Sequence, residues 1–185
     1  MSQARLGNIP ESDYTPEQRR VHDELVNGPR GGLRGPFGAL LRSPELADRV
    51  RQLGDYIRFG NSLSPALREF VILLTARFWT AQYEWYAHRK ISAEAGLNPA
   101  HADAIEVGKR PANMSEDETV IYDFIHEVLY DKDVSDKSYA AAVARFGEKT
   151  VLDMLCTSGY FGFVSLILNT KRHPVPEGTK LLQPL

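Results

Sequence analysis

The residue types best suited to acid–base chemistry occur together between Arg68 and Arg89, a segment that contains Glu69, Glu84 and His88. Glu84 and His88 are four residues apart, so on a helix they share one face, with Cβ atoms ~5–6 Å apart. A carboxylate beside an imidazole favours the protonated ring and orients it, which suits a general acid or base near neutral pH. The spacing therefore allows a proton-transfer pair but does not by itself establish one, because such pairs also occur by chance on exposed helices. The alternative is a weak ion pair on a solvated helix surface.

Aromatic residues flank this pair in the sequence. Tyr83, Trp85 and Tyr86 surround Glu84, and on a helix they would exclude water and accept a flat, unsaturated ligand. Aromatic residues at this density more often belong to a core than to a pocket, and that alternative stays open.

Helix start signals position this segment within a regular pattern. A capping residue followed by proline occurs at Thr15-Pro16, Ser43-Pro44, Ser64-Pro65 and Asn98-Pro99. Ser115 and Glu118 have the spacing of a capping box. Each of these signals predicts the first turn of a helix.

The apolar residues between these signals repeat with a helical period. Leu46, Val50, Leu53 and Ile57 form one stripe, and a second stripe lies between Val120 and Leu129. Val151 to Leu168 is apolar on nearly every side and predicts a central buried helix. No alternating run or hairpin signal indicates a strand. The sequence therefore predicts an all-α fold of roughly seven or eight helices, with residues 1–185 in a single domain.

Two segments are too rich in glycine and proline for regular structure. Gly28 to Gly38 predicts a surface or pocket-lining loop; it lacks Gly-Lys-Ser/Thr, so nucleotide binding is not favoured. Residues 174–185 predict an extended tail, and the N-terminal segment is expected to be irregular.

Composition excludes several functional classes. The net charge of −2 and the pI near 6.2 give no electrostatic reason to expect nucleic acid or an anionic membrane as a partner. Cys156 is the only cysteine, so no intramolecular disulfide can form. The first five residues, Met1 to Arg5, lack an apolar signal core, and a cytoplasmic location is expected.

The segment from Glu69 to His88 resembles the signature of the carboxymuconolactone decarboxylase and alkyl hydroperoxidase D superfamily. The peroxidase branch of that superfamily carries Glu, eleven residues, Cys, two residues, Cys, three residues, His. On this sequence the two ends of the motif fall on Glu69 and His88, and the two cysteines fall on Ala81 and Glu84. The chain is similar to the thiol-free branch. A looser resemblance extends from Leu40 to Asn169 and includes the Gly159-Tyr160-Phe161 segment.

The missing thiols argue against peroxidase chemistry, which needs a thiolate nucleophile and a resolving thiol. Cys156 lies in the most apolar predicted helix, where burial is expected to leave it inert. A metal held by His88, Glu69 and Glu84 is geometrically conceivable. Neither a metal nor an organic cofactor is expected.

The resemblance implies a helical subunit that assembles into homotrimers or homohexamers. It implies action on a small carboxylated unsaturated lactone or a related product of aromatic catabolism. In the reaction of that family, His88 would donate a proton or bind the oxyanion, Glu84 would orient His88, and Glu69 would be a second acid–base group.

Substrate binding is assigned to residues near this pair. Tyr83, Trp85, Tyr86 and Phe37 are expected to line the pocket, and Arg77 or Arg34 would bind a substrate carboxylate. Isomerisation, dehydration or lactone opening by the same pair remains an alternative to decarboxylation. A catalytically silent ligand-binding protein is the rival from another class.

Overall fold

The computed structural model describes residues 5–185, which form helices joined by short connections, with no strand among them. A 3₁₀ turn at Glu11–Asp13 precedes the first helix, and π-helical turns at Tyr56–Gly60 and Glu127–Asp131 extend the third and seventh. The α-helices are α1 (Pro16–Asn27), α2 (Phe37–Leu40), α3 (Pro44–Asp55), α4 (Pro65–Phe78), α5 (Gln82–Glu94), α6 (Pro99–Glu106), α7 (Glu116–His126) and α8 (Asp136–Lys171). The all-α prediction is confirmed. The expectation that the first five residues lack an apolar signal core concerns mainly residues 1–4, which lie outside the described part.

All the predicted caps form a side-chain bond except Ser43, which precedes α3 without making one. Ser115 and Glu118 make both bonds of the capping box at α7, and Ser64 and Asn98 accept backbone N–H groups at α4 and α6. Thr15 caps α1 in the same reciprocal way, with the Gln18 side chain as its partner. These bonds satisfy amide groups that the first turn of a helix leaves without intrahelical partners.

The central helix of the fold is α4. It packs against α5, α6, α7 and α8, and most of its residues from Glu69 to Arg77 are buried. One hydrophobic cluster lies on the side of α6 and α7, and a second joins α1, α3 and α8 through Ile72. This helix carries Glu69 into the interior of the protein.

The prediction of a buried helix at Val151–Leu168 is only half right. The helix exists within α8 and one side of it enters the core, but Leu152, Leu155, Phe163 and Leu166 are exposed. These four side chains fall on one face at helical spacing, and we call them the α8 apolar stripe. α8 is also the one helix in residues 5–185 that is long and apolar enough to span a bilayer, but more than half of its most apolar stretch is buried inside the protein.

The stripe predicted on α3 is displaced around the helix. Ala47, Val50, Gly54 and Ile57 face the core, whereas Leu46 and Leu53 are exposed. Gly54 is required at its position, because a Cβ atom there would collide with the Tyr160 hydroxyl and with the Arg30 guanidinium. A small residue at this point lets α3 approach α8 closely.

Candidate active site

Two helices bring the three predicted acid–base residues together. Glu69 lies on α4, and Glu84 and His88 lie on α5, which follows α4 after a tight turn at Trp79–Ala81 and packs against it. Thr80 in this turn has a positive φ of 46°, which is uncommon for a residue other than glycine. All three side chains are buried, with exposed fractions of 3% for Glu69, 4% for Glu84 and 6% for His88. The surface ion-pair alternative therefore does not describe this site.

The imidazole of His88 lies between the two carboxylates. Its Nδ1 atom is 2.6 Å from Glu69 Oε2, and its Nε2 atom is 3.3 Å from Glu84 Oε2. The ring of Phe161 packs edge-on against the imidazole at a centroid distance of 4.9 Å. Both ring nitrogens can donate only when the imidazole is protonated, so the arrangement suits the imidazolium ion.

The electrostatics of the group favour the same charge state. Burial lowers the pKa of His88, but the charge and hydrogen bond of Glu69, followed by those of Glu84, outweigh it and raise the pKa to about 9. At neutral pH His88 is therefore an imidazolium ion between two carboxylates. We call Glu69, His88 and Glu84 the acid–base triad.

The two carboxylates have different surroundings. Glu69 makes the shorter contact with the ring and does not line the cavity described below, whereas Glu84 does. The shorter contact with His88 is thus made by Glu69, whereas the sequence analysis proposed Glu84 as its orienting partner. Glu84 and His88 both line the cavity, so a ligand could contact either side chain.

The triad opens on a cavity of about 530 Å³. Its walls come from the glycine-rich loop, the π-helical turn after α3, helix α5 and helix α8. The glycine-rich segment is therefore a pocket-lining loop, as one of its two interpretations proposed. Gly31, Gly32 and Gly35 have positive φ values that other residues adopt at a cost. The charged and aromatic side chains of the wall that could bind a ligand are Arg30, Arg34, Phe37, Arg58, Tyr83, Glu84, Tyr86, His88, Lys90, Tyr160 and Phe161.

Positive charge dominates the wall of the cavity. Arg30 donates from Nε to Asp55 Oδ1 at 2.7 Å, but no carboxylate of residues 5–185 forms an ion pair with Arg34 or Arg58. Burial, followed by the charge of Arg30, lowers the pKa of Arg58. An anionic ligand would relieve this accumulation of like charge.

The structure brings only some of the predicted binding residues to the cavity. Tyr83, Tyr86, Phe37 and Arg34 line it, as the sequence proposed. Trp85 belongs to the hydrophobic core on the other side of α5. Arg77 lies near the C-terminal segment and donates to Thr80 Oγ1 and to the Gln183 carbonyl. Neither of the last two residues contacts the cavity, because each points away from it on its own helix.

Sequence reasoning missed Arg30, Arg58 and Tyr160. Arg30 stands in the glycine-rich loop and Tyr160 in the Gly159-Tyr160-Phe161 segment, so both lay in stretches already noted. Nothing in the local pattern around Arg58 indicated a role, since the π-helical turn that carries it was not predicted.

The geometry also bears on the metal alternative. Within residues 5–185 no group of three or more His, Cys, Asp or Glu side chains has a spacing that would hold a metal ion. Glu69 and Glu84 approach opposite nitrogens of His88, so they cannot join the same nitrogen in one coordination sphere.

The prediction that Cys156 is buried is wrong. The residue is partly exposed, at the edge of the α8 apolar stripe, so burial does not explain any lack of reactivity. Its thiol does not line the cavity of the triad. Cys156 is therefore not expected to act in the site, because it lies outside the cavity and the sequence contains no second thiol.

The arrangement of the helices defines an all-helical protein of the alkyl hydroperoxidase D fold. An uncharacterized peroxidase-related protein from Silicibacter sp. TM1040 superposes with a TM-score of 0.73 at 13% identity, over 92% of this chain and 88% of that chain. A protein of unknown function from Agrobacterium tumefaciens, whose proposed identity is the antioxidant defence protein AhpD, superposes with a TM-score of 0.62 at 17% identity, over 77% and 99% of the two chains. No family model and no curated protein sequence matches the chain. At these identities the similarity shows a common fold and not a common reaction.

Proposed function

We propose that the protein is an acid–base enzyme that acts on a small carboxylated unsaturated lactone or a related aromatic-catabolism intermediate, by decarboxylation or proton transfer. The observation that carries this proposal is the buried triad of Glu69, His88 and Glu84 at the wall of a cation-lined cavity. Perturbed ionisable groups in a cavity are typical of catalytic sites. The carboxymuconolactone decarboxylase-like signature supplies the reaction class.

The cavity suits an anionic ring compound. Its volume of about 530 Å³ falls within the range of ligand pockets, ~300–1,000 Å³. Arg34 and Arg58, which have no carboxylate partner in the described chain, would bind a substrate carboxylate through paired N–H groups. Tyr83 and Phe37 supply flat apolar walls beside it. No organic cofactor is needed for the step.

The proton path follows from the contacts of the triad. Loss of carbon dioxide breaks a carbon–carbon bond, and its electron pair passes into the lactone carbonyl as a dienolate. Glu84 stands next to the cavity and next to His88 Nε2, so the Nε2 proton would move to Glu84 and from there to the dienolate carbon. Water then returns one proton to His88. Glu69 fixes the ring and stabilises its charge, so it acts as a positioning residue.

Thiol-dependent peroxide reduction is not proposed, although one structural neighbour is named peroxidase-related. The positions of the two motif cysteines hold Ala81 and Glu84. A single thiol outside the cavity has no resolving partner.

The test is a screen of purified protein against aromatic-catabolism lactones for carbon dioxide release. With a turned-over substrate, His88→Ala should lower kcat by ~10²–10⁴-fold, and His126→Ala, an exposed histidine outside the cavity, should not. Because the residues act as a unit, Glu84→Gln combined with His88→Ala should be little worse than the poorer single variant.

Two results would reject the proposal. Absence of turnover together with unchanged ligand affinity in Glu84→Gln would identify a silent binding protein. Peroxide reduction that disappears in Cys156→Ser would identify a thiol enzyme.

Assembly is proposed on the same basis. The resemblance implies a homotrimer or homohexamer, and the α8 apolar stripe offers an apolar surface for such a contact. Water would otherwise cover four large side chains on one helix face.

A further inference from the structure

A second, smaller cavity lies away from the triad. It has a volume of about 200 Å³ and is enclosed by α4, the end of α6, α7 and the last residue of the chain. Its wall includes Leu74, Arg77, Ile105, Lys109, His126 and Tyr130, and it shares no residue with the cavity of the triad.

Arg77 is the unusual group in this wall. Its side chain is buried, with the residue 3% exposed. Nη1 donates to Thr80 Oγ1 at 3.2 Å and Nη2 to the Gln183 carbonyl at 2.7 Å, while the buried Nε has no partner. Both acceptors are neutral, and the nearby Glu106 is engaged by Lys180. A buried guanidinium that has only neutral partners and one unpaired N–H group destabilises the fold unless an anion binds to it.

The rest of the wall indicates what that anion carries. Leu74 and Ile105 are aliphatic, and Tyr130 stacks on His126 with a centroid distance of 4.4 Å and an interplanar angle of 21°. These surfaces suit an apolar or flat body, and Lys109 adds an exposed positive charge at the mouth. We propose that this cavity is a second binding site, for a small carboxylic acid with an aromatic or apolar body, whose carboxylate accepts hydrogen bonds from Arg77.

The first experiment uses benzoate as the probe and benzamide as its neutral counterpart. In the full-length protein, the ¹H–¹⁵N resonance of the Arg77 Nε–H group should shift with benzoate and not with benzamide. Calorimetry should show at least a ~10-fold weaker benzoate affinity at this site in Arg77→Gln, because a charge-assisted bond is lost. Arg34→Gln, which alters the cavity of the triad, should leave the Arg77 shift unchanged. This site and the proposed lactone chemistry can therefore fail separately.

A second variant guards against misfolding of Arg77→Gln. Lys109→Glu changes an exposed side chain, so it should fold normally and weaken benzoate binding several-fold by placing a like charge at the mouth. Lys132→Glu is the matched control, because Lys132 is exposed and does not line the cavity. An Arg77 resonance that ignores benzoate would overturn the proposal. Benzoate binding abolished by Arg34→Gln and untouched by Lys109→Glu would place the probe in the cavity of the triad, with the same consequence.

Discussion

Replacing Glu69 by glutamine should convert His88 from a charged to a neutral ring at neutral pH. Glu69 is 2.6 Å from His88 Nδ1, and its charge is the largest of the effects that raise the pKa of His88 from 6.5 to about 9. Burial acts in the opposite direction and remains in the variant. Glutamine keeps the size of the side chain and a hydrogen-bonding oxygen. The change thus removes one charge from an otherwise intact pair.

The magnitude follows from the two pKa values. The difference between 6.5 and about 9 corresponds to roughly 3 kcal/mol in favour of the charged ring. Glu84 alone, at 3.3 Å from Nε2, faces the same burial with half of the counter-charge. The pKa of His88 in Glu69→Gln should therefore fall by at least about 2, which leaves the ring mostly neutral at pH 7.5. Catalysis that starts from the imidazolium should therefore be slower in Glu69→Gln than in the wild type at pH 7.5.

The assay is a pH titration of the His88 ring nitrogens by ¹H–¹⁵N correlation NMR. Wild-type resonances should stay at imidazolium positions from pH 5 to above pH 8, whereas those of Glu69→Gln should move to neutral-ring positions with a midpoint at or below about pH 7. Glu118→Gln is the matched control, because Glu118 lies 3.0 Å from His101 in a separate pair and should leave His88 unchanged. A wild-type His88 that titrates near 6.5 would refute the electrostatic reasoning. So would a Glu69→Gln variant with unaltered titration.

Four further outcomes are expected. Because the pKa of His88 is raised on folding, its contribution to stability is complete below pH 6.5 and is lost as pH rises to about 9. The free energy of unfolding measured with urea should therefore fall by roughly 3 kcal/mol across that interval, and an unchanged value would contradict this prediction. Burial raises the pKa of Asp153, but hydrogen bonds from Ser62, Tyr56 and Lys149 lower it to about 2. In urea unfolding, Asp153→Asn should therefore cost about 2 kcal/mol at pH 7, and this cost should disappear as the pH falls below about 2. Cys156→Ser should keep activity within a few-fold and cost little stability, since the thiol is partly exposed; an unfolded variant would argue otherwise. Leu152→Glu should dissociate the assembly in light scattering, whereas a monomeric wild-type protein would show that the α8 apolar stripe is not a subunit contact.

Local features of the fold could be predicted from the sequence because their causes are local. The caps at Ser64, Asn98 and Ser115 involve bonds to residues two or three positions away, so short patterns are sufficient to specify them. The proximity of Glu84 and His88 is of the same kind, since helix geometry alone places residues four apart on one face.

The direction in which a helix faces was less predictable. Val50 and Ile57 of the predicted stripe face the core, but Leu46 and Leu53 do not, and Ala47 and Gly54 complete the buried side instead. Small residues permit close approach of α3 to α8, and a hydrophobicity pattern does not record that approach. Trp85 and Arg77 were likewise expected at the cavity, but each points away from it on its own helix.

By itself the sequence determined the helical fold class, the helix starts and the three residues proposed for acid–base chemistry. Tertiary structure decided how these residues meet. Packing of α4 on α5 places Glu69 against His88 Nδ1 across nineteen residues of sequence, and burial with two carboxylates sets the charge of the ring. The cation-lined wall likewise joins Arg30, Arg58 and Tyr160 from three separate elements. Hydrogen-bond pairing and desolvation depend on distances between segments, and local sequence patterns do not specify those distances.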